Sequence, residues 1–292
     1  MSTRGIFGVR VECKDKLMYN HSDSYPSGLG VAMVEATIHL LTKTGLEKMI
    51  ELAKAIRLVD EHTDKPTDAD IERLSKYADT NVSNQTTKDW YCLLRHAQGD
   101  IEAIFKAGVM IDGHEFVRDS LFCEWGYILN LDDKVLEVYR GFQETAHNKG
   151  RFAKTPKLVE EGRDGKKRES KYYSIALVKK IRFTDLVLKP SETGDLMNKI
   201  EKAVRDADKR KSIASKKKYL EDGGLVAAHP SANLEQSKHA KLYHLTAQGQ
   251  SGINLARIIR LAAGIGIADR KKVLDGLAEL LADYILYGVE KK

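Results

Sequence analysis

The sequence is poor in cysteine, and this scarcity limits the kinds of site and scaffold it can build. Its 292 residues contain three cysteines, Cys13, Cys92 and Cys123, and no two of them have CxxC spacing. An odd and widely spaced set excludes a disulfide-stapled scaffold and argues against a Cys-rich zinc site. We therefore expect three free thiols in a reducing compartment.

Long apolar runs are also missing. No run approaches the roughly 18–20 residues that span a bilayer, and the first residues lack the apolar core of a secretory signal. The sequence thus predicts a cytoplasmic protein with no membrane partner.

Complete catalytic and cofactor motifs are absent as well. The sequence has no Walker A, HExxH or GxSxG pattern, and its GxG pairs at 28–30 and 264–266 lack the third glycine of a dinucleotide site. No motif names a cofactor, so the cofactor stays unknown at this point. No metal site is predicted, and the sequence leaves open whether the protein is an enzyme.

What the sequence does contain is a few strand patterns separated by blocks of helical pattern. Three elements have the period of a strand: an N-terminal hairpin at 6–20, a hairpin at 121–139 and a strand at 172–183. The helices come in blocks and do not alternate strictly with strands. We predict an α+β fold, in which a small antiparallel sheet built from these three elements is covered by helices.

Helix signals fall between these strands. Ser27 follows a turn rich in Pro and Gly and is a candidate N-cap for the first helix, and residues 67–70 have the form of a capping box. The segment from 57 to 110 has a helical and polar pattern throughout.

Composition predicts two regions. Residues 1–190 form an α+β domain with a basic, mobile loop at about 148–171, and residues 191–292 form a helical region that packs on it. Within the second region we expect a charged helix near 195–220 and apolar helices near 252–263 and 269–287.

The N-terminal segment resembles the opening of a family of uncharacterised phage and bacterial proteins with the pattern TRG…DK…YNHxDSYPxxLG. In this chain Ser22 stands where that family often has an aromatic residue. The resemblance implies a phage-type origin and implies no activity. It is carried by Thr3-Arg4-Gly5, Asp15-Lys16-Leu17, Tyr19-Asn20-His21-Ser22-Asp23-Ser24-Tyr25-Pro26 and Gly28-Leu29-Gly30.

The same segment holds the candidate catalytic residues. Removal of Met1 would leave Ser2 with a free amine, the arrangement of N-terminal nucleophile hydrolases. If residues 21–25 are extended, His21, Asp23 and Tyr25 share one face, and Arg4 on the neighbouring strand can approach them. The alternative is purely structural, with Asp23 in a turn and Tyr25 packed beside Pro26.

Positive charge is concentrated in one part of the chain. Residues 149–218 hold 22 lysines and arginines against ten aspartates and glutamates, so the rest of the chain is net negative although the total charge is +6. Such residues can bind nucleic acid phosphates, or they can simply be a solvated helix and loop. The candidate nucleic-acid-binding residues are Lys166, Lys167, Arg168, Lys179, Lys180, Lys209, Arg210, Lys211, Lys216, Lys217 and Lys218.

These observations favour a phage-type accessory protein that acts by binding, in a host-interaction or defence-related role. The expected partner is a nucleic acid or an acidic host protein, and a homo-oligomer is compatible with the sequence. The alternative is a hydrolase with a site at Ser2, Arg4, His21 and Asp23.

Overall fold

A five-stranded mixed sheet with helices around it organises the computed structural model, which describes residues 3–161, 165–188 and 192–221. The strands are β1 (Gly5–Val11), β2 (Lys14–Asn20), β3 (Arg57–Val59), β4 (Val109–Ile111), β5 (Trp125–Asn130), β6 (Val135–Arg140), β7 (Val159–Glu161), β8 (Lys167–Glu169) and β9 (Ala176–Arg182). The α-helices are α1 (Val31–Lys43), α2 (Leu46–Ala55), α3 (Asp68–Leu74), α4 (Trp90–Leu93), α5 (Ile101–Ala107), α6 (Phe183–Leu188) and α7 (Thr193–Glu221).

The predicted α+β class and the three strand elements of the main sheet are confirmed, but the sheet is not wholly antiparallel. Its order is β2-β1-β5-β6-β9, and β1 pairs with β5 in parallel. The hairpin β1–β2 is antiparallel, as are the pairs β5–β6 and β6–β9. The long connection between β1 and β5 permits the parallel pairing, because a parallel pair needs a crossover.

The inner strands β1 and β5 are more buried than an alternating sequence pattern indicates. The alternation in residues 6–12 predicts a half-buried strand, yet β1 is buried on both faces except at Arg10, and β5 is buried at every position. Strands in the interior of a sheet covered on both sides lose the alternation of exposed and buried residues.

One face of the sheet packs against short helices from later in the chain. The buried cluster on this face contains Ile6, Leu17, Ile128 and Tyr139 from the strands together with Val117, Cys123, Phe152 and Ile175 from the segments above them. At the edge of the sheet, the Lys16 amine donates to the carbonyls of Ala53, Lys54 and Ile56, which lie at the C-terminal end of α2 (2.9, 2.8 and 2.6 Å). A cation at this helix end stabilises it and satisfies carbonyls that have no partner within the helix.

The predicted mobile loop at 148–171 contains regular structure. Residues Arg151–Lys154 form a 3₁₀ helix, and β7 and β8 form an antiparallel hairpin. Arg151 connects this segment to the sheet, because its guanidinium donates hydrogen bonds to the carboxylates of Asp15 on β2 and Glu137 on β6.

Two compact units divide the chain, Met1–Glu201 and Lys202–Lys292. The division lies within α7, and α7 confirms the charged helix expected near 195–220. The apolar helices predicted near 252–263 and 269–287 lie outside the described residues, so the packing of a helical C-terminal region stays a prediction. In the part of the chain that the structure describes, no helix is long and apolar enough to cross a membrane.

Candidate functional site

The polar turn at residues 21–25, which precedes the first helix, is hydrogen-bonded to the sheet. The Asn20 side chain donates to the Ser24 hydroxyl (2.8 Å), and the Ser24 amide donates to the Thr3 carbonyl (3.1 Å). The Tyr127 hydroxyl on β5 donates to the Ser24 carbonyl (3.0 Å), and Ser24 is fully buried. Ser24 therefore holds this segment in place, whereas His21, Asp23 and Tyr25 on either side of it are exposed.

The backbone turns sharply at Asp23. Its φ of +54° lies in the left-handed region, so residues 21–25 are not an extended strand and the period of two does not apply to them. The Leu29 amide donates to the Asp23 carbonyl (2.8 Å), and a Cβ on Gly28 would lie 2.4 Å from that same oxygen. Glycine at position 28 is what lets the chain close on the turn.

His21 contacts Tyr19, a residue outside the predicted catalytic set. The Tyr19 hydroxyl lies 2.9 Å from Nδ1 of His21, and burial, together with the charges of Arg95 and Arg4, lowers the pKa of His21. The neutral form of His21 is therefore favoured more than in a free histidine.

The other predicted catalytic residues lie in different surroundings. Asp23 and Tyr25 are exposed on the turn, and Ser2 lies outside the described residues. The hydrolase alternative therefore stays a prediction, with His21 and Arg4 as the two members that share one electrostatic environment.

Ser27 does not cap the first helix as the sequence predicts. A π-helical turn, Pro26–Gly30, runs directly into α1 and has no side-chain cap at its start. The Ser27 hydroxyl instead donates to the Glu201 carboxylate (2.6 Å), in the part of α7 that belongs to the first unit.

An exposed aromatic surface lies at the end of the sheet beside this turn. Gly5, Trp125 and Arg140 are directly opposite one another on β1, β5 and β6, and the loops that enter β5 and leave β6 meet there. Large apolar side chains on these loops are exposed: Leu121 (36%), Phe122 (46%) and Phe142 (40%). We call Arg4, Leu121, Phe122, Arg140 and Phe142 the end surface.

Arginines stack on the rings of the end surface. The Arg4 guanidinium lies 5.3 Å from the Phe122 ring centre, and that of Arg140 lies between Trp125 (4.8 Å) and Phe142 (4.5 Å). Such cation–π contacts fix the direction of the rings and leave part of each ring in solvent.

Phe142 of the end surface has a strained backbone conformation. Its φ of +54° is uncommon for an aromatic residue. The Phe142 amide donates to the Ser120 carbonyl (2.6 Å), and a Cβ on Gly141 would lie 2.1 Å from the Cys123 carbonyl oxygen. The two loops therefore touch through their backbones, which sets the rings of Phe122 and Phe142 on neighbouring segments.

Sequence reasoning missed the end surface except for Arg4. The sequence does contain one signal for it, the Arg-Gly-Phe triplet at 140–142 directly after the predicted strand, since a glycine at a strand end allows another segment of backbone to approach closely. Phe122 gave no such signal, because it was assigned to the strand pattern at 121–139.

The predicted basic residues divide into several groups. Lys166, Lys167 and Arg168 are exposed on and beside β8, and Lys179 is exposed on β9. Lys180 forms ion pairs within the protein, since its amine lies 2.8 Å from the Asp133 carboxylate and 3.5 Å from that of Glu137.

The remaining basic residues lie on α7 in the second unit. Lys209 and Arg210 are exposed, and the side chains of residues 211–221 are not described. A single positive surface that joins both groups stays a prediction.

A buried network of charged side chains around Glu137 is a further feature that sequence reasoning missed. The Glu137 carboxylate is 1% exposed and accepts from Asn130 (3.0 Å), Tyr139 (2.9 Å) and Arg151. Burial disfavours the charged form, but these hydrogen bonds outweigh it and hold the pKa of Glu137 below its usual value. A carboxylate this well satisfied is an anchor for structure.

No group of three or more His, Cys, Asp or Glu side chains within the described ranges is arranged to hold a metal ion. Comparison of the chain with protein-family models, curated proteins and solved structures found no match.

Proposed function

We propose that the protein acts by binding, and that the end surface binds a single-stranded nucleic acid. The observation that carries the proposal is the pair of exposed rings, Phe122 and Phe142, each with an arginine guanidinium near its centre. Bases stack on exposed aromatic rings whatever their sequence, and arginines add cation–π and phosphate contacts. The resemblance of the N-terminal segment adds the proposal that this is an accessory protein of phage type, in a host-interaction or defence-related role.

A purely structural reading of these rings is less satisfactory. Single exposed apolar side chains are ordinary on protein surfaces. Here Leu121, Phe122 and Phe142 lie on two loops that touch, and Phe142 occupies a strained conformation. Exposed apolar groups that cluster, and strain that the fold maintains, are both typical of binding sites.

Charge supports a nucleic acid as the partner. Lys167 and Lys179 are exposed in the same unit and add a positive field that attracts phosphates. Lys180 contributes less, because Asp133 and Glu137 already neutralise it.

The test is fluorescence anisotropy with a labelled oligothymidylate, using Phe122→Ala, Phe142→Ala and Arg4→Ala. Because a stacked base is worth about 1–3 kcal/mol, each ring removed should weaken binding by about 5- to 150-fold. Arg4→Ala should weaken binding and reduce the slope of log affinity against log salt by about 0.7.

Matched controls separate the end surface from general effects. Leu58→Ala removes an exposed apolar side chain elsewhere, and Lys65→Ala removes an exposed charge, so neither should change affinity. Thermal melting checks that each variant is folded.

Absence of binding at both low and high salt would refute the nucleic-acid proposal. Binding of polyglutamate that Phe122→Ala and Arg4→Ala weaken, without binding of the oligonucleotide, would assign the end surface to an acidic protein partner.

A further inference from the structure

A cleft of about 470 Å³ opens in the first unit beside the end of β2, and its lining includes none of the residues that define the end surface. Its walls come from β2, α4, the end of β4 and the 3₁₀ helix His114–Arg118. This volume falls within the range of small-ligand sites in proteins.

The walls of the cleft are mainly aromatic and apolar. Tyr19, Tyr91 and Phe116 line it and are each partly exposed, and the Phe116 ring meets the Tyr19 ring edge-on with centres 5.1 Å apart. Ile111 and Leu158 complete the apolar lining. Aromatic rings can attract a cation through their negative faces.

The charged groups in the lining have one sign. Four carboxylates line the cleft, and among the described lining residues there is no lysine or arginine: Glu61, Asp112, Glu115 and Asp119. The lining also contains the exposed His62, which lies 3.7 Å from Glu61. An aromatic cleft with this lining favours a positively charged occupant.

Neighbouring cations reduce this negative charge only in part. Arg118 pairs with Glu115, and its guanidinium also donates to the Pro156 and Lys157 carbonyls (3.0 and 2.7 Å). Arg4 and Arg95 act on the Tyr19 hydroxyl from outside the lining.

The carboxylate of Asp112 is held in place. Its Oδ1 accepts a hydrogen bond from the His114 amide (2.9 Å), and each carboxylate oxygen can accept more than one bond. Because Glu115 already pairs with Arg118, Glu61 and Asp112 are better placed to meet a cation than Glu115 is.

We propose that this cleft binds a cationic group carried on an apolar body, such as an amidinium, a guanidinium or a primary amine. The apolar part packs between Tyr19, Tyr91 and Phe116, and the cation lies near Glu61 and Asp112. The attraction of the carboxylates and of the aromatic rings for a cation increases as the apolar body of the occupant displaces water from the cleft. The inference does not depend on the nucleic-acid proposal.

Three probes of nearly equal shape test the charge requirement. Calorimetric titration of the full chain with benzamidine, benzamide and benzoate compares a cation, a neutral amide and an anion on the same ring. Benzamidine should bind at least about tenfold more tightly than benzamide, and benzoate should bind most weakly. Equal affinities, or the tightest binding with benzoate, would overturn the proposal.

A double variant tests the location. Glu61→Gln with Asp112→Asn should weaken benzamidine binding about tenfold or more and leave benzamide binding unchanged. The matched control, Glu35→Gln with Glu72→Gln, removes two exposed carboxylates outside the lining and should leave benzamidine affinity unchanged. Equal losses in both double variants would assign the effect to net charge and refute the site.

A blocked arginine amide identifies the natural source of the cation. Its binding in addition to benzamidine points to an arginine side chain of a partner polypeptide, whereas binding of benzamidine alone points to a small aromatic amine. No binding of either probe refutes the proposal.

Discussion

Arg151 shows how much one side chain can determine in this molecule. It bridges Asp15 and Glu137, whose side chains are 8% and 1% exposed, and so ties the basic segment to the sheet. Replacing it by methionine keeps the apolar stem but removes the cation that the two buried carboxylates share, so that Asp15 keeps only Arg10 and Glu137 only the more distant Lys180. We expect Arg151→Met to lower the free energy of unfolding by about 3–5 kcal/mol, measured by urea denaturation.

A surface pair provides the control for this prediction. Arg182 pairs with Asp185 on the surface, and Arg182→Met should cost no more than about 1 kcal/mol. Adding Glu137→Leu to Arg151→Met should recover part of the lost stability, because it removes the most deeply buried charge of the network after that charge has lost its strongest partner. A loss no larger than that of Arg182→Met would show that the network contributes little.

Glu137 itself should give the protein a pH-dependent stability. Its pKa is lowered in the folded state, so its contribution is present above the usual glutamate pKa and is lost as pH falls through the lower, folded value. Glu137→Gln should therefore reduce stability at pH 7 and make the decline of stability in acid shallower. Urea denaturation from pH 7 to pH 3 measures both effects.

Glu144→Gln is the matched control for the pH prediction. Glu144 pairs with Lys171 on the surface, and the salt bridge and hydrogen bond to Lys171 lower the pKa of its carboxyl group. Because solvent screens this pair, the variant should follow the wild-type pH profile closely. An acid decline as steep in Glu137→Gln as in wild type would contradict the role given to Glu137.

At the scale of elements, the start of α3 is the clearest case in which the sequence predicts the structure. The Thr67 hydroxyl accepts from the Asp70 amide (3.1 Å), and the Asp70 carboxylate accepts from the Thr67 amide (3.2 Å), which confirms the predicted capping box. Thr67→Ala should lower the free energy of unfolding by about 0.5–2 kcal/mol in thermal or urea melts. Thr67→Ser keeps the hydroxyl and should cost less; an equal loss in both would indicate that the methyl group matters and the cap does not.

Other elements could not be predicted because their signals are too short. β3 and β4 have three residues each and pair in parallel across about fifty residues, inside a segment whose pattern is helical and polar. A three-residue strand carries too little periodicity to be distinguished from a helix turn. The 3₁₀ helix Arg151–Lys154 is also too short to be predicted from its sequence pattern. It is held by a hydrogen bond from Arg151 to Asp15, which lies more than a hundred residues earlier in the chain.

For the whole molecule, the sequence predicts the fold class and the strand elements of the main sheet but not how they come together. Pairing of β1 with β5 joins residues more than a hundred positions apart, and local patterns carry no information about it. The candidate sites share this limit. Arg4 was identified from its motif, whereas Phe122, Phe142 and the cleft at Tyr19 become visible only when separate loops meet.

The parallel pairing of β1 also has a consequence for synthesis on the ribosome. β2 follows β1 after a two-residue turn, but β5 begins at Trp125, more than a hundred residues later. At about 5–20 residues per second, the other edge of β1 waits roughly 6–23 s for its partner to be made. During this interval the nascent chain carries an apolar hairpin with one open edge, which is the kind of surface that molecular chaperones bind.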